Sequence, residues 1–347
     1  MERANASPPT VVIGGQATAD VVHPDDGSSR TLPMRLGGKA LNQAVALARL
    51  GLTPSLATAV GNDAIGGQIR RLLEHEGVDT GFVVTAGGRP PILSRISSVK
   101  VELTEGRTSP RHVSVSTDPR ILDYFDSAIS LAMRAKCPSA ILTTFELPDS
   151  ALEELLVGTR QVWKRTYSIL VVNPAPARPV PESVFAALKH CDLLVPNRAE
   201  AASLLGRLEK DLGDPLAAAR DLRRLTGARR VCITLGRDGA AGSDRRGTFL
   251  QPAYRTRVKD KVGASDAFVA ATTAALAAGT SFRGAVEFAT VCAAISVGRE
   301  GGVAAFPTPA EVVHALASTS GAAWRQARTT AHRLAWREAR ARTTARL

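Results

Sequence analysis

The chain has 347 residues, of which 44 are Lys or Arg and 32 are Asp or Glu, so it carries a formal charge of +12. This length suits one large α/β domain or two small ones, and a mean hydropathy near zero with 44% hydrophobic residues excludes a wholly disordered chain. The basic excess leaves nucleic acid, an anionic membrane surface and anionic small molecules open as partners.

Short apolar runs alternate along the chain with segments of helical periodicity. Leu41, Val45 and Ala48, for example, recur at the spacing of one helix face. This alternation predicts an α/β fold, with a mostly parallel sheet covered by helices. The predicted buried strands are Thr10–Ile13, Ser55–Val60, Ala140–Thr143, Ile169–Val172, Leu193–Val195 and Val231–Thr234.

Two segments interrupt the alternation of strands and helices. Residues 16–36 are polar and irregular, whereas residues 92–116 alternate apolar and polar side chains in period two. The second pattern is typical of a β-hairpin with one exposed face. Together the two segments predict a small β-lid beside the main sheet.

A pair of glycines, Gly37 and Gly38, precedes a predicted helix that begins with Lys39 and carries Asn42 one turn later. Glycines allow a ligand to approach the backbone, and residues three apart share one side of a helix. The alternative is a plain turn followed by an amphipathic helix with solvated polar residues. The Walker A and GxGxxG motifs are both missing from the sequence, which excludes the P-loop and Rossmann dinucleotide interpretations.

Two later motifs stand where predicted strands end. Asn197 and Glu200 follow one strand, and they suit either a helix capping box or the positioning of Mg²⁺ water and a nucleotide phosphate. Thr234, Gly236 and Gly239 follow the next strand, where they suit either a plain β-turn or a phosphate-binding loop.

Residues 260–268 form the most informative segment. A strand-like run, Tyr254–Val258, leads to Gly263, Ala264 and Ser265, and then to Asp266 at the start of a long apolar helix. Small residues at a helix start let backbone N–H groups bind an anion, and a carboxylate beside them could accept a proton. The alternative is an ordinary N-cap.

The last thirty residues, 318–347, hold seven arginines and one acid, so half of the excess charge lies there. Trp324, Ala327, Ala331 and Leu334 recur at helical spacing, which allows a basic amphipathic helix that binds nucleic acid. A frayed, solvated extension is the preferred interpretation, and nucleic acid is not expected as a partner.

Signals for export and membrane insertion are missing from the sequence. The first residues contain no apolar signal region, and the longest uncharged apolar stretch, Ala267 to Phe282, has 16 residues. The four cysteines lie 41 to 60 residues apart with no CxxC motif, which disfavours structural zinc and disulfides. These features predict a cytoplasmic protein with no membrane partner.

The motifs GGKALNQA, NPAPAR, VPNRAE, ITLGRDG, GASDAF and AAISVGREGG occur in this order, and together the chain resembles the ribokinase family of PfkB-type carbohydrate kinases over residues 10–316. The resemblance implies a kinase domain at 8–317 with a ribokinase-like, doubly wound, mostly parallel sheet sandwiched by helices. It also implies a small β-lid that closes over the sugar and could make a homodimer contact. The remaining residues, 318–347, are a basic tail outside the resemblance. The resemblance also implies ATP and Mg²⁺ as cofactors.

The same resemblance implies a role for each matching residue. Asp266 would be the catalytic base, with an anion hole formed by Gly263, Ala264 and Ser265. The expected sugar contacts are Thr18, Asp20, Gly38, Lys39, Asn42, Glu146 and Asp266. The expected nucleotide contacts are Asn197, Glu200, Thr234, Gly236, Gly239 and Thr290. The expected metal positions are Asn197 and Glu200 for Mg²⁺ and Asp260 for a monovalent cation.

The sequence also departs from the family pattern. Ser265 replaces a glycine of the anion hole, where a Cβ could crowd the phosphate or oppose a positive φ. Lys261 and Ala305 replace residues near the cation site, which puts K⁺ dependence in doubt. Thr18 stands where ribokinases carry Asn, so the substrate is in question too.

The expected reaction is ATP-dependent phosphorylation of the primary hydroxyl of a pentose, with ribose giving ribose 5-phosphate. One alternative is a nucleoside or modified-sugar kinase of the same family. Another is a sugar-binding protein of this fold with little turnover.

Overall fold

A computed structural model describes residues 10–22, 34–86, 100–101, 112–113, 115–116, 124–133, 138–162, 168–300, 302–317 and 324–344. The strands are β1 (Thr10–Gly14), β2 (Thr18–Val22), β3 (Met34–Gly37), β4 (Thr53–Val60), β5 (Val83–Thr85), β6 (Lys100–Val101), β7 (His112–Val113), β8 (Val115–Ser116), β9 (Ala140–Thr144), β10 (Ile169–Asn173), β11 (Leu193–Leu194), β12 (Val231–Thr234), β13 (Ala240–Asp244) and β14 (Gly247–Gln251). The helices are α1 (Lys39–Arg49), α2 (Ala64–His75), α3 (Phe125–Met133), α4 (Asp149–Val162), α5 (Glu182–Ala187), α6 (Arg198–Leu204), α7 (Pro215–Thr226), α8 (Ala264–Ala277), α9 (Phe282–Val297), α10 (Pro309–Ala317) and α11 (Arg325–Thr344).

Nine of these strands form one sheet in the order β14-β13-β12-β11-β10-β9-β1-β4-β5. The pairs from β12 to β5 are parallel, and β13 and β14 add an antiparallel edge. All six predicted buried strands are present, and the prediction of a mostly parallel sheet is confirmed. Their apolar runs are continuous because both faces of the sheet are covered by helices.

The two faces of the sheet carry separate apolar cores. In β1, Val11 and Ile13 face the core formed with α1, α2 and α8 to α11, whereas Val12 faces the core formed with α3 to α7. Successive side chains of a strand point to opposite faces, so one apolar run serves both cores. Helices therefore cover both sides, as a doubly wound fold requires.

A small antiparallel sheet, β3-β2-β7, lies apart from the main sheet, and β6 pairs with β8. Residues 16–22 and 34–36 of the first predicted lid segment supply β2 and most of β3. Most of the second segment, 92–116, lies outside the described residues, and so does most of its predicted hairpin. A contact between copies of the chain through this sheet stays a prediction.

The strand-like run Tyr254–Val258 does not form a strand, so that prediction is wrong. Its residues from Arg255 to Val258 are exposed, and they pair with no strand in the part of the chain that the structure describes. The residues that follow are hydrogen-bonded to the end of α9, where the backbone N–H groups of Lys259 and Asp260 donate to the carbonyl of Val297.

Residues 325–344 of the basic C-terminal segment form a helix that packs on the domain, so the preferred prediction of a frayed extension is wrong for them. In α11, Ala327, Ala331 and Leu334 are buried against the core that includes α9 and α10. Arg333 donates from its Nη1 atom to the carbonyl of Ala278, 3.1 Å away. Because the apolar residues share one helix face, burying them outweighs the mutual repulsion of the arginines.

Within the described ranges, every helix is too short or too polar to cross a lipid bilayer. Cys191, Cys232 and Cys292 are buried free thiols, and burial raises the pKa of each. These three thiols are therefore packing residues of low reactivity.

Candidate active site

The first turns of α1 and α8 meet around the carboxylate of Asp266. Asn42 Nδ2 donates to Asp266 Oδ2 at 2.9 Å, and Gln43 Nε2 donates to Asp266 Oδ1 at 3.2 Å. Asp266 is only 4% exposed. An acidic group with this little exposure needs polar partners to remain charged, and α1 supplies them from two adjacent positions.

Gly38 allows α1 to begin at this point. Its φ is +92°, and a Cβ there would lie 2.6 Å from the carbonyl oxygen of Gln16. A residue with a side chain would meet both the strain of a left-handed backbone and this clash. The helix that starts immediately afterwards places Lys39, Asn42 and Gln43 on the side that faces α8.

The start of α8 places the positive φ of this turn before Ser265. The positive φ of this turn, +80°, belongs to Gly263, and Ser265 is an ordinary helical residue without a positive φ. The backbone N–H groups of Ser265 and Asp266 have no hydrogen-bond partner among the described residues. Unbonded donors in the first turn of a long helix are suited to bind an anion.

Glu146 joins the site from the loop after β9. Its Oε1 accepts from the backbone N–H of Lys39 at 3.2 Å, and its Oε2 accepts from the hydroxyl of Thr144 at 3.3 Å. Burial raises the pKa of Glu146 to about 7, and the nearby Asp266 adds to the rise while the charge of Lys39 opposes it. Glu146 is therefore an acid that titrates near neutral pH.

Lys39 is the cation of this acidic neighbourhood. Burial lowers its pKa, but the negative charges of Asp266, Glu146 and Glu200 raise it, and the net change is upward. The pKa of Asp266 is raised by burial, although Lys39, Asn42 and Gln43 oppose the rise. The lysine therefore stays protonated and holds the surrounding carboxylates together.

Asn197 and Glu200 form the capping box that the sequence allowed. Asn197 Oδ1 accepts from the backbone N–H of Glu200, and Glu200 Oε2 accepts from the backbone N–H of Asn197, both at 2.8 Å. Asn197 Nδ2 also donates to Glu200 Oε1 at 2.8 Å. Burial raises the pKa of Glu200, and its charge acts on both Lys39 and Asp266, so it lies within electrostatic reach of the site.

The other nucleotide positions lie on the following loop and on α9. Thr234 donates its backbone N–H to the carbonyl of Pro196 and forms a parallel bridge with Asn197, so the two motifs are neighbours. Gly236 and Gly239 have φ values of +61° and +92° in the turn after β12. The hydroxyl of Thr290 donates to the carbonyl of Val286 within its own helix.

Three predicted positions remain: Asp260, Thr18 and Asp20. The Oδ2 atom of Asp260 is 3.6 Å from Arg35 Nη1, and its Oδ1 atom accepts a hydrogen bond from the backbone N–H of Val262. Thr18 is buried in β2. Asp20 belongs to the same strand, opposite Arg35, and its side chain lies outside the described part of the structure.

Two buried amides were missed as site residues. Gln43 bonds both Asp266 and Asn173, and Asn173 lies at the end of β10. The available signal was the position of Gln43, which lies one turn after Lys39 on the same helix face and directly after Asn42. The arrangement combines a buried carboxylate, a cation and unbonded helix N–H groups, which together could bind a hydroxyl beside an anion.

This chemistry agrees with a family match. A model of the pfkB family carbohydrate kinases matches residues 9–309. The chain therefore belongs to this family, and it is an ATP-dependent sugar kinase with a ribokinase-like fold. The kinase class predicted from the motifs is confirmed.

The chain is similar to ribokinases and to a riboside kinase. The ribokinase of Schizosaccharomyces pombe is 30% identical over 288 residues, which cover 80% of this chain and 85% of that protein. The structure of Arabidopsis thaliana ribokinase complexed with ribose and ATP matches 90% of this chain and 100% of its own, with a TM-score of 0.67 and 22% identity. The aminoimidazole riboside kinase from Salmonella enterica, complexed with aminoimidazole riboside and an ATP analog, matches 89% and 100% with a TM-score of 0.65 and 21% identity. At these identities the two structures confirm the fold.

Proposed function

We propose that this kinase transfers the γ-phosphoryl group of ATP to the primary hydroxyl of a pentose, with ribose giving ribose 5-phosphate. The observation that supports this proposal is the first turn of α8, which holds the buried carboxylate of Asp266 and the unbonded N–H groups of Ser265 and Asp266. Transfer to a hydroxyl needs a proton acceptor and donors for the phosphate charge close together.

In this proposal Asp266 is the base. The hydroxyl oxygen attacks the γ-phosphorus, the bond from that phosphorus to the bridging oxygen breaks, and ADP leaves with the electron pair. The proton of the hydroxyl passes to the Asp266 carboxylate. Burial raises the pKa of Asp266 above its ordinary value, which makes its carboxylate a better proton acceptor.

The proposed anion hole consists of the backbone from Gly263 through Ala264 and Ser265 to Asp266. The positive end of the α8 dipole and the free N–H groups stabilise charge that develops on the phosphoryl oxygens. Ser265 is compatible with this role because its backbone is helical and the residue is small.

The sugar would lie against the start of α1. Lys39 and Asn42 offer donors, Glu146 offers an acceptor, and Gly38 lets the backbone of Gln16 and Thr18 pack closely against the start of the helix. Thr18 and Asp20, in β2 of the small sheet, are proposed to complete the contacts. Several hydrogen bonds to hydroxyls distinguish a pentose from an apolar ligand.

ATP would enter from the side of Asn197, Thr234, Gly236 and Gly239, with Thr290 near the adenine. These residues do not form a complete metal-binding site. Among the described residues, no three His, Cys, Asp or Glu side chains lie close enough together to coordinate a metal ion. Mg²⁺ usually keeps several waters and binds through substrate phosphates and one or two carboxylates. Both oxygens of Glu200 already accept from Asn197, so Glu200 would hold a water of the Mg²⁺ shell rather than the ion itself. When bound, Mg²⁺ would neutralise phosphate charge.

Asp260 does not fit a monovalent-cation site in this chain. One of its oxygens accepts from the N–H of Val262 and the other faces Arg35 at 3.6 Å. The guanidinium already supplies a positive charge there. No step is assigned to K⁺.

The test is an assay of ATP-dependent phosphorylation with ribose, deoxyribose and a purine riboside as acceptors. We expect Asp266→Asn to lower kcat about 10²–10⁴-fold because the proton acceptor is lost. Asp211→Asn is the matched control, since Asp211 is exposed. Equal activity of Asp266→Asn and the wild type would contradict the role of Asp266. Phosphorylation of the riboside but not of free ribose would make the enzyme a nucleoside kinase.

A further inference from the structure

Two buried amide side chains, Gln43 and Asn173, stand behind Asp266 in a row that ends on the main sheet. Asn173 Nδ2 donates to the carbonyl of Val195 at 2.9 Å, and Gln43 Nε2 donates to Asn173 Oδ1 at 3.0 Å. The same Nε2 donates to Asp266 Oδ1 at 3.2 Å. Gln43 and Asn173 are both fully buried.

The direction of this row is fixed by the backbone. A carbonyl oxygen can only accept, so Asn173 must turn its NH₂ group toward Val195 and its oxygen toward Gln43. Gln43 must then present its own NH₂ group, whose second hydrogen points to Asp266. Rotating either amide by 180° would place like groups face to face at two contacts, so neither amide is free to flip.

We propose that this row, which we call the Val195–Asn173–Gln43 relay, positions the carboxylate of Asp266 for proton transfer. The inference rests on the proposed function, in which Asp266 accepts the proton of the sugar hydroxyl. Through the relay, the orientation of Asp266 is set by the carboxyl ends of β10 and β11 as well as by its own helix. Gln43 and Asn173 are positioning residues that act on the reaction through Asp266.

A purely structural role for Gln43 fits the contacts poorly. Its Oε1 is buried and has no hydrogen-bond partner among the described residues. An unsatisfied buried acceptor costs stability, which an apolar side chain of similar size would avoid at this atom. The amide is therefore placed for what its NH₂ group does, and that group bonds Asn173 and Asp266.

The relay also acts on the charge of Asp266. The hydrogen bond from Gln43 stabilises the ionised carboxylate and opposes the rise of its pKa that burial causes. Around Asp266, the other facing groups are Lys39 and Asn42, which also favour the ionised form, and the more distant acids Glu146 and Glu200. Loss of the Gln43 donor should therefore raise the pKa of Asp266 and leave less of the base form at neutral pH.

The experiment compares Gln43→Met with the wild type from pH 5.5 to pH 9, using ribose or the acceptor that the phosphorylation panel returns. We expect kcat at pH 7 to fall about 10-fold to 100-fold, as for a lost hydrogen bond to a charged group. The acidic limb of the kcat profile should move up by about one pH unit, with KM for the sugar changed less than about threefold. Gln68→Met, at an exposed position of α2, is the matched control.

A second set of variants keeps the proposal testable if Gln43→Met fails to fold. Gln43→Glu retains the shape but replaces the donor with an acceptor, so its acidic limb should move further in the same direction. Asn173→Leu removes the middle of the relay, and the double variant Gln43→Met/Asn173→Leu should be scarcely slower than Gln43→Met alone, because residues that act as a unit are not additive.

The proposal is overturned if Gln43→Met and Gln43→Glu lower kcat by the same factor at every pH. It is also overturned if the fold-reduction in kcat of the double variant equals the product of the reductions in Gln43→Met and Asn173→Leu. It is also overturned if Gln43→Met behaves as the wild type while Asp266→Asn is inactive, a result that leaves the proposed function standing. Full activity of Asp266→Asn would remove the proposed function and the relay together.

Discussion

Glu146 gives the enzyme a stability that depends on pH near neutrality. Burial raises its pKa from 4.5 to about 7, so the folded chain holds this proton more tightly than the unfolded chain does. As pH rises through this window, the free energy of unfolding falls. The rise in pKa corresponds to about 3 kcal/mol at most, and about half of that is expected because the side chain keeps partial contact with solvent.

The perturbation that exposes this effect is Glu146→Gln, which removes the titration and retains an oxygen for the N–H of Lys39. Urea denaturation of both proteins at pH 5 and pH 8 measures the difference. Between these pH values, we expect the stability of the variant relative to the wild type to increase by about 1.5 kcal/mol. Glu209→Gln, at an exposed position, is the matched control. A relative stability of Glu146→Gln that does not change with pH would refute the reasoning.

Two further substitutions test the start of α1 and the packing of α11. Gly38→Ala should lower the free energy of unfolding by about 1–3 kcal/mol and raise KM for the sugar, because its Cβ would lie 2.6 Å from the carbonyl oxygen of Gln16. Thermal melting measures the first effect and steady-state kinetics the second. Wild-type values in both would contradict the steric argument. Leu334→Ala should cost about 2–4 kcal/mol in urea denaturation, since Leu334 is 1% exposed. Leu208→Ala, 63% exposed in the wild type, should change stability by less than about 0.5 kcal/mol, and equal losses would refute the burial of α11.

The main sheet could be predicted because its strands leave a local signal. Runs such as Ala140–Thr143 are short, apolar and bounded by turn residues, and burial on both faces removes any need for alternation. Tyr254–Val258 instead alternates β-favouring residues with arginines, and among the described residues it pairs with no strand. The outcome there depends on which elements pack beside it, and a single sequence does not contain that information.

The candidate site, too, could be predicted from the sequence only where the signal is local. Lys39, Asn42 and Asp266 could be singled out because each stands in the first turn of a helix that begins after glycine. The structure brings two of them together, since Asn42 donates a hydrogen bond to Asp266. Gln43 and Asn173 lie 130 residues apart, and only the packing of α1 against the sheet brings their amides into contact.

Helix α11 lies beyond the end of the family match but belongs to the hydrophobic core of the domain. The family match ends at residue 309, but the core that carries Asp266 continues through Leu316 to Leu334. A chain shortened to the family boundary would keep every proposed catalytic group and would expose the apolar surfaces of α9 and α10 that α11 covers. Exposed apolar surface of this kind promotes association between molecules. The part of the chain that the family model matches is therefore shorter than the part that packs into one core.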